Sequence, residues 1–175
     1  MSDAPPLLTT REVARLLRAT TTMLAAELAA VPARLLTWHP APGEWCINEV
    51  LGHLIEAEQR GFAGRIRILV ADRDPQLQTW DQNEVAARRR DCERDGAKLL
   101  AELVALRQDG VRLVDGLREA DLGRGGHHPT VGYVRIGELL NEWVHHDRNH
   151  VRQILANAQA FVWPQMGATQ RFSEP

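Results

Sequence analysis

Cysteine is scarce in this 175-residue chain, with only Cys46 and Cys92 present. They form no CxxC and no disulfide framework, so two unpaired thiols in a reduced, cytoplasmic setting are expected. A dominant charge is missing as well. Lys and Arg total 21 against 23 for Asp and Glu, a formal net charge of -2, which argues against a strongly basic nucleic-acid surface. The single basic run, Arg88-Arg89-Arg90, is followed at once by Asp91, Glu93 and Asp95. Such mixed charge reads as a solvated helix face rather than a phosphate-binding patch. No apolar stretch approaches the roughly 18 residues of a transmembrane helix. The opening Met1-Ser-Asp-Ala-Pro-Pro6 has no basic start followed by an apolar run, so no signal peptide is expected. Neither a membrane nor a nucleic acid is therefore an expected partner.

What is present is helical patterning. The apolar fraction is 44%, enough for one domain with a real core over residues 1–175. The first predicted helix runs from Thr10 to Ala30, opened by a capping box in Thr9-Thr-Arg-Glu12 and carrying Val13, Leu16, Leu17, Met23, Leu24 and Leu28 at helical spacing. A connector from Leu35 to Trp45 holds Pro40, Pro42 and Gly43, and its Trp38 and Trp45 should pack on the helices. The second helix spans Ile47 to Val70, with Val50, Leu54, Ala57, Gly61, Gly64 and Ile68 as its inner stripe. Its small residues suggest a closely approaching neighbour. A loop with Asp74, Pro75 and Trp80 leads to a third helix, Asn83 to Glu119, which Gly96, Gly110 and Gly116 should bend or break. Gly123 to Pro129 reads as loop and Tyr133-Val134 as a short extended piece. The fourth helix runs from Arg135 to Ala158, and the tail from Phe161 should cover one end of the assembly. The fold class is all-α, an antiparallel four-helix bundle with long connectors.

The fourth helix carries Trp143-Val-His-His-Asp-Arg-Asn-His150. Leu139, Trp143, His146, His150 and Ile154 form one stripe, so His146 and His150 face inward one turn apart, while His145 points about 100° away. A buried imidazole needs its ring nitrogens satisfied, by backbone or by a metal, and a stacked pair favours metal. His53, at the edge of the second helix's stripe, can add a third nitrogen and leave a position open for water or substrate. Other metal readings fit less well. His146-Asp-Arg-Asn-His150 resembles a zincin motif with Asp for Glu, but only Glu174 follows as a carboxylate ligand. Glu142-Trp-Val-His145 has the di-iron Glu-x-x-His form without a second copy. A structural zinc would need a fourth ligand, from Cys46 or His39 in or near the connector.

Two segments carry a family resemblance. Trp38-His-Pro-Ala-Pro-Gly-Glu-Trp45 with Asn48-Glu-Val-Leu-Gly-His-Leu54, and His146-Asp-Arg-Asn-His150 with Gln153-Ile154, resemble the signatures of the DinB/YfiT-like superfamily over nearly the whole chain. The resemblance implies up-down-down-up connectivity and a divalent metal, often nickel or zinc, held by His53, His146 and His150. It also implies thiol chemistry, since relatives include bacillithiol S-transferases and a mycothiol-dependent maleylpyruvate isomerase, beside metal-dependent hydrolases. Cys46 departs from the Ser or Thr that relatives carry at the helix entry, which weakens the expected N-cap.

The expected function is a metal-dependent enzyme of thiol S-transferase type, with a low-molecular-weight thiol and an electrophile as small-molecule partners. The alternatives are a metal-dependent hydrolase, or a non-enzymatic metal- or ligand-binding bundle associated with stress. Asp147 or Glu142 could orient a ligand imidazole. Glu58 reads first as a surface glutamate and second as a proton acceptor. Arg60, Arg65 and Arg148 are candidates for binding a substrate carboxylate, and no spacing singles one out. Neither cysteine has a base beside it in sequence to make it a nucleophile. Exposed tryptophans and small-residue helix faces would suit a homodimer.

Overall fold

A computed structural model describes residues 7–173. The readings made on Met1–Pro6 and on Glu174 lie outside the described residues. Helix α1 (Thr10–Ala30) begins at the capping box read from sequence. The Thr9 hydroxyl accepts the Glu12 N–H at 3.3 Å, and Glu12 accepts the Thr9 N–H at 2.8 Å. After the short α2 (Ala33–Leu36) and the proline-rich connector, α3 (Ile47–Glu56) passes through a π-helical turn (Ala57–Phe62) into α4 (Ala63–Ala71). Then come α5 (Gln82–Arg89), a 3-10 turn (Asp91–Glu93), α6 (Gly96–Asp115) and a second 3-10 turn (Glu119–Asp121). A β-hairpin, β1 (Gly125–His128) paired with β2 (Gly132–Arg135), leads into α7 (Ile136–Val162).

The bundle is built from α1, the α3–π–α4 rod, α6 and α7. Helix α1 packs on α6 and α7, and α3 packs on the same two from the other side. The long crossing from Asp72 to Asp95 lets α6 run in the same sense as the rod before it. The connectivity is therefore up-down-down-up, and the all-α bundle read from sequence is the fold.

Several boundaries differ from the sequence reading, each for a local reason. The third helix is two helices, because Arg90 adopts a left-handed conformation (φ 52°) that caps α5, and Asp95 opens α6 by accepting the Ala97 and Lys98 N–H groups at 2.8 and 3.3 Å. Gly110 breaks nothing and lies within α6. Gly125–His128, read as loop, is a strand, while the extended piece at Tyr133-Val134 is its partner. Helix α7 runs one turn past Ala158. Of the tail, Phe161 packs edge-on against Trp38 at 5.2 Å, but Trp163 and Phe172 stay exposed, so only its first residue covers the bundle end. Trp38 and Trp45 pack on the core as expected.

The core falls into two apolar clusters. One gathers Leu17, Phe62, Ile66, Leu69, Leu140 and Trp143, and the other Leu24, Leu51, Leu54, Leu99, Leu103 and Ile154. Between them, at the level of His53 and His146, the interior turns polar.

Candidate metal centre

His53 near the end of α3, and His146 and His150 one turn apart on α7, converge with one donor nitrogen each, all within 4.8 Å of one another. His53 Nε2 lies 3.0 Å from His146 Nε2. Two nitrogens bound tetrahedrally to one zinc, at about 2.0–2.1 Å each, would stand roughly 3.3 Å apart. The spacing therefore fits a shared cation with little adjustment. Two facing Nε2 atoms cannot both donate, so at least one presents a lone pair. His150 donates Nδ1–H to Gln153 Oε1 at 2.8 Å, the arrangement that leaves its Nε2 unprotonated. His146 Nδ1 is buried with no hydrogen-bond partner. The triad's nitrogens are thus incompletely satisfied by protein, and the donor set suits a divalent metal.

Electrostatics keep these rings neutral. Burial first, then repulsion from His150 and His146, pushes the His53 imidazole down to about 3. His146 falls to about 3 through burial, then His150, Arg107 and His145. His150 is lowered by burial and partly restored by Gln153 and Asp147. At neutral pH all three offer lone pairs, as metal ligation requires. Trp45 lies 5.0 Å from the His53 ring and Phe62 borders His146 at 5.1 Å, giving the site aromatic walls.

Behind the triad lies a buried ionic layer that sequence reasoning missed. Arg107 on α6 binds Asp147 through both terminal nitrogens, at 2.5 and 2.9 Å, and its Nε stands 2.8 Å from Glu58 without hydrogen-bond alignment. Trp143 donates its indole N–H to Glu58 at 2.9 Å. Glu58 is 1% exposed, so it is not the surface residue expected. One cation faces two carboxylates here. Asp147 takes the bidentate pairing, and burial followed by repulsion from Asp147 pushes Glu58 up to about 7, against the pull of Arg107. The stripe carried the signal, since Glu58 sits midway between Leu54 and Phe62, and Arg107 between Leu103 and Val111. Asp147, adjacent to His146, anchors that turn of α7 rather than binding an imidazole directly. Gly110 admits this layer, for a Cβ there would stand 2.8 Å from the Trp143 ring and 3.1 Å from Glu58.

The remaining candidates are placed as follows. His145 is exposed and bonded to Asn149 at 2.9 Å, and Glu142 is exposed. Both line a cavity of about 870 Å³ on the outer face of α7 that no triad histidine lines. Arg60 pairs with Glu56 at 2.5 Å, and Arg148 reaches Leu16 O and Thr20. Arg65 bonds Gln78 O and His128 and lies 5.0 Å over Trp80. Trp80 also closes, with Val85 and Arg89, over Gly52 and His53. The basic run is not a uniformly solvated face. Arg89 is largely buried and tied to Asp91 at 2.7 Å and Glu56 at 2.9 Å, while Arg88 and Arg90 pair with Glu84 and Glu93. Cys46 and Cys92, expected to be separate thiols, are joined as a disulfide. The fold had hidden this, because the turn carrying Cys92 docks on the start of α3. Neither Cys46 nor His39 joins the triad, and both belong to a separate cluster with Glu49 and Cys92.

The sequence profile of the DinB superfamily matches residues 16–154, and the chain belongs to that superfamily. YfiT from Bacillus subtilis, described as a probable metal-dependent hydrolase with an unusual four-helix bundle topology, superposes with a TM-score of 0.82 at 18% identity, covering 93% of each chain. A Bacillus mycoides protein with a provisional metal-dependent hydrolase designation is 22% identical over 126 residues, 69% of either chain. A mycothiol-dependent maleylpyruvate isomerase shares the fold at TM-score 0.67 and 13% identity, over 84% of this chain and 61% of that one. Among the described residues no helix is long and apolar enough to cross a membrane.

Proposed function

We propose that this protein is a metal-dependent enzyme in which His53, His146 and His150 hold a divalent cation, zinc or nickel, and in which a low-molecular-weight thiol is transferred to an electrophile. The observation that carries the reading is the convergence of three neutral, half-buried imidazoles whose nitrogens the protein leaves incompletely paired. A cation bound there would lower the pKa of a ligand thiol or water and leave it nucleophilic at neutral pH.

The choice of thiol over water rests on what surrounds the triad. Hydrolysis at a three-ligand metal site commonly enlists a carboxylate as general base. Here the buried carboxylates on the ligand-bearing helices are engaged. Glu56 is held by Arg60 and Arg89, Asp147 by Arg107, and Glu58 by the Trp143 indole beside the Arg107 charge. A thiol activated by the metal needs no such base for its attack, because the thiolate is itself the nucleophile. The mycothiol dependence of one structural neighbour supports the same direction. The residues' own roles are then distinct. Gln153 fixes the tautomer of His150, Arg107 and Asp147 hold the α7 turn bearing His146, and Trp45 and Phe62 limit water around the rings.

The test is metal content and turnover. Purified protein should carry about one divalent ion per chain at the triad and consume a small thiol in the presence of a reactive electrophile. His150→Ala should lose that ion, whereas His145→Ala should retain it. Protein whose metal content and thermal stability ignore added zinc or nickel would remove the reading.

A further inference from the structure

A second group of metal-binding side chains gathers at the opposite end of α3 from His53. His39 from the connector, Cys46 and Glu49 from the α3 entrance, and Cys92 from the 3-10 turn after α5 place one donor atom each within 4.8 Å of all the others. His39 Nε2 is 2.9 Å from Glu49 Oε2 and 3.6 Å from Cys92 Sγ, so its ring nitrogen points into the group. Three of the four donors sit on well-anchored backbone, and exposed His39 is held only by its contacts within the group. Glu49 accepts the Cys46 backbone N–H at 2.8 Å, the reciprocal bond of an N-terminal cap. Cys92 follows Asp91, which is 1% exposed, holds Arg89 and Arg94, and rests on Gly52 so tightly that a Cβ there would collide with its carboxylate. Cys46 is fully buried at a helix N-terminus, where the backbone dipoles favour a thiolate.

We propose that these four residues form a second, thiol-gated site for a soft divalent cation such as zinc. Two thiolates, one imidazole and one carboxylate make a closed four-ligand set, the ligand count of a structural rather than an open catalytic zinc site. The disulfide seen here is its oxidised, metal-free state. In that state the two sulfurs satisfy each other and His39 is left to Glu49. Opening the site requires a reductant. Two molecules of a low-molecular-weight thiol, RSH, convert the disulfide to two cysteine thiols and leave as RSSR. Binding of the cation then releases the two thiol protons to solvent. The site is independent of the histidine triad, which contains no sulfur.

Cobalt(II) is the probe, because thiolate ligation gives a near-ultraviolet charge-transfer band that imidazole ligation does not. Full-length protein reduced anaerobically with a phosphine, with two thiols per chain counted in a denatured aliquot, should develop that band with a tetrahedral visible spectrum. Reoxidation to the disulfide should abolish it. Cys92→Ser, a change on a partly exposed turn, should reduce it by at least about half per bound ion, the share of one of two thiolates, and alkylation of the reduced wild-type protein should abolish it. His39→Ala should retain it with weaker affinity, because both thiolates, the source of the band, remain while one of four ligands is lost. His150→Ala, which disables the triad, should keep the band intact, so the two sites fail or succeed separately. Absence of the band in thiol-counted, reduced protein, or its persistence after alkylation, would overturn the proposal.

Discussion

Arg107 shows how far a single residue can decide the interior. It is 2% exposed and is the only cation between Asp147 and Glu58 among the described contacts of that layer. Removing it strands two buried carboxylates, and breaking a buried pair from one side costs about 3–5 kcal/mol. Arg107→Met should therefore destabilise by about that much in urea unfolding at pH 7, and adding Asp147→Asn should recover part of the loss. Glu58→Gln has a different sign. Its carboxyl is pushed up to about 7, so the folded state favours the protonated form. That contribution is complete below the unfolded value near 4.5 and fades as pH rises through 7. Wild type should thus lose stability between about pH 4.5 and 7 relative to Glu58→Gln, measured as the difference in urea midpoint. The histidines behave oppositely. With folded values lowered to about 3, His53 and His146 stay neutral in the folded chain while their unfolded counterparts protonate below the usual 6.5. Metal-free protein should lose up to about 1.4 kcal/mol per pH unit for each of them as pH falls from about 6.5 toward 3, and His53→Ala should flatten that slope.

The α3–π–α4 rod is the element that sets the site. Its wide turn, Ala57–Phe62, follows directly after the helix that bears His53, and such turns insert a residue and shift the helical phase. The inner stripe read from sequence holds as far as Gly61 and then slips. Ile68, expected inside, is 45% exposed, and Ile66 and Leu69 are buried instead. A regular 3.6-residue period could not reveal this, because the insertion is a backbone event that leaves no apolar mark. The glycines were its trace. Gly64 does not receive a neighbouring helix. It clears the Gln59 carbonyl of its own turn, and Gly61 leaves room for the Trp80 ring, which a Cβ there would meet at 3.2 Å. Glycine to alanine within a helix ordinarily stabilises by about 0.8–1 kcal/mol. Gly64→Ala should do the reverse, because its Cβ would collide with backbone that cannot move without unwinding the π turn. A lowered melting temperature together with weakened metal retention is the expected result, and a raised one would show that the turn relaxes to α-helix at no cost.

At the scale of the molecule, the histidine layer sits between two apolar clusters, each drawing on α1, the rod, α6 and α7. This arrangement explains why the bundle and the inward-facing pair His146 and His150 were legible in the sequence, whereas His53 stood only at a stripe edge and was singled out by the family resemblance. Amphipathic stripes specify the helices, and His146 and His150 interrupt a stripe that resumes at Ile154. The ionic layer and the cysteine pairing were not legible, because each depends on which side chains of distant elements meet across the bundle. Arg107 meets Asp147 across 40 residues and Cys46 meets Cys92 across 46. It also separates folding from metal binding. Small metal modules with scant cores unfold without their ion, but here Leu17, Leu69, Leu99, Leu103 and Trp143 belong to a buried apolar core spanning all four long helical elements. Chelated protein should accordingly keep its helical circular dichroism and unfold cooperatively. Refilling the triad should then raise stability by mass action alone, about 2.7 kcal/mol at free metal 100 times Kd, seen as a concentration-dependent rise in Tm that His150→Ala abolishes. Collapse of the helical signal on chelation would mean instead that the metal organises the bundle, and that the two apolar clusters cannot hold the four helices together around three unpaired imidazoles.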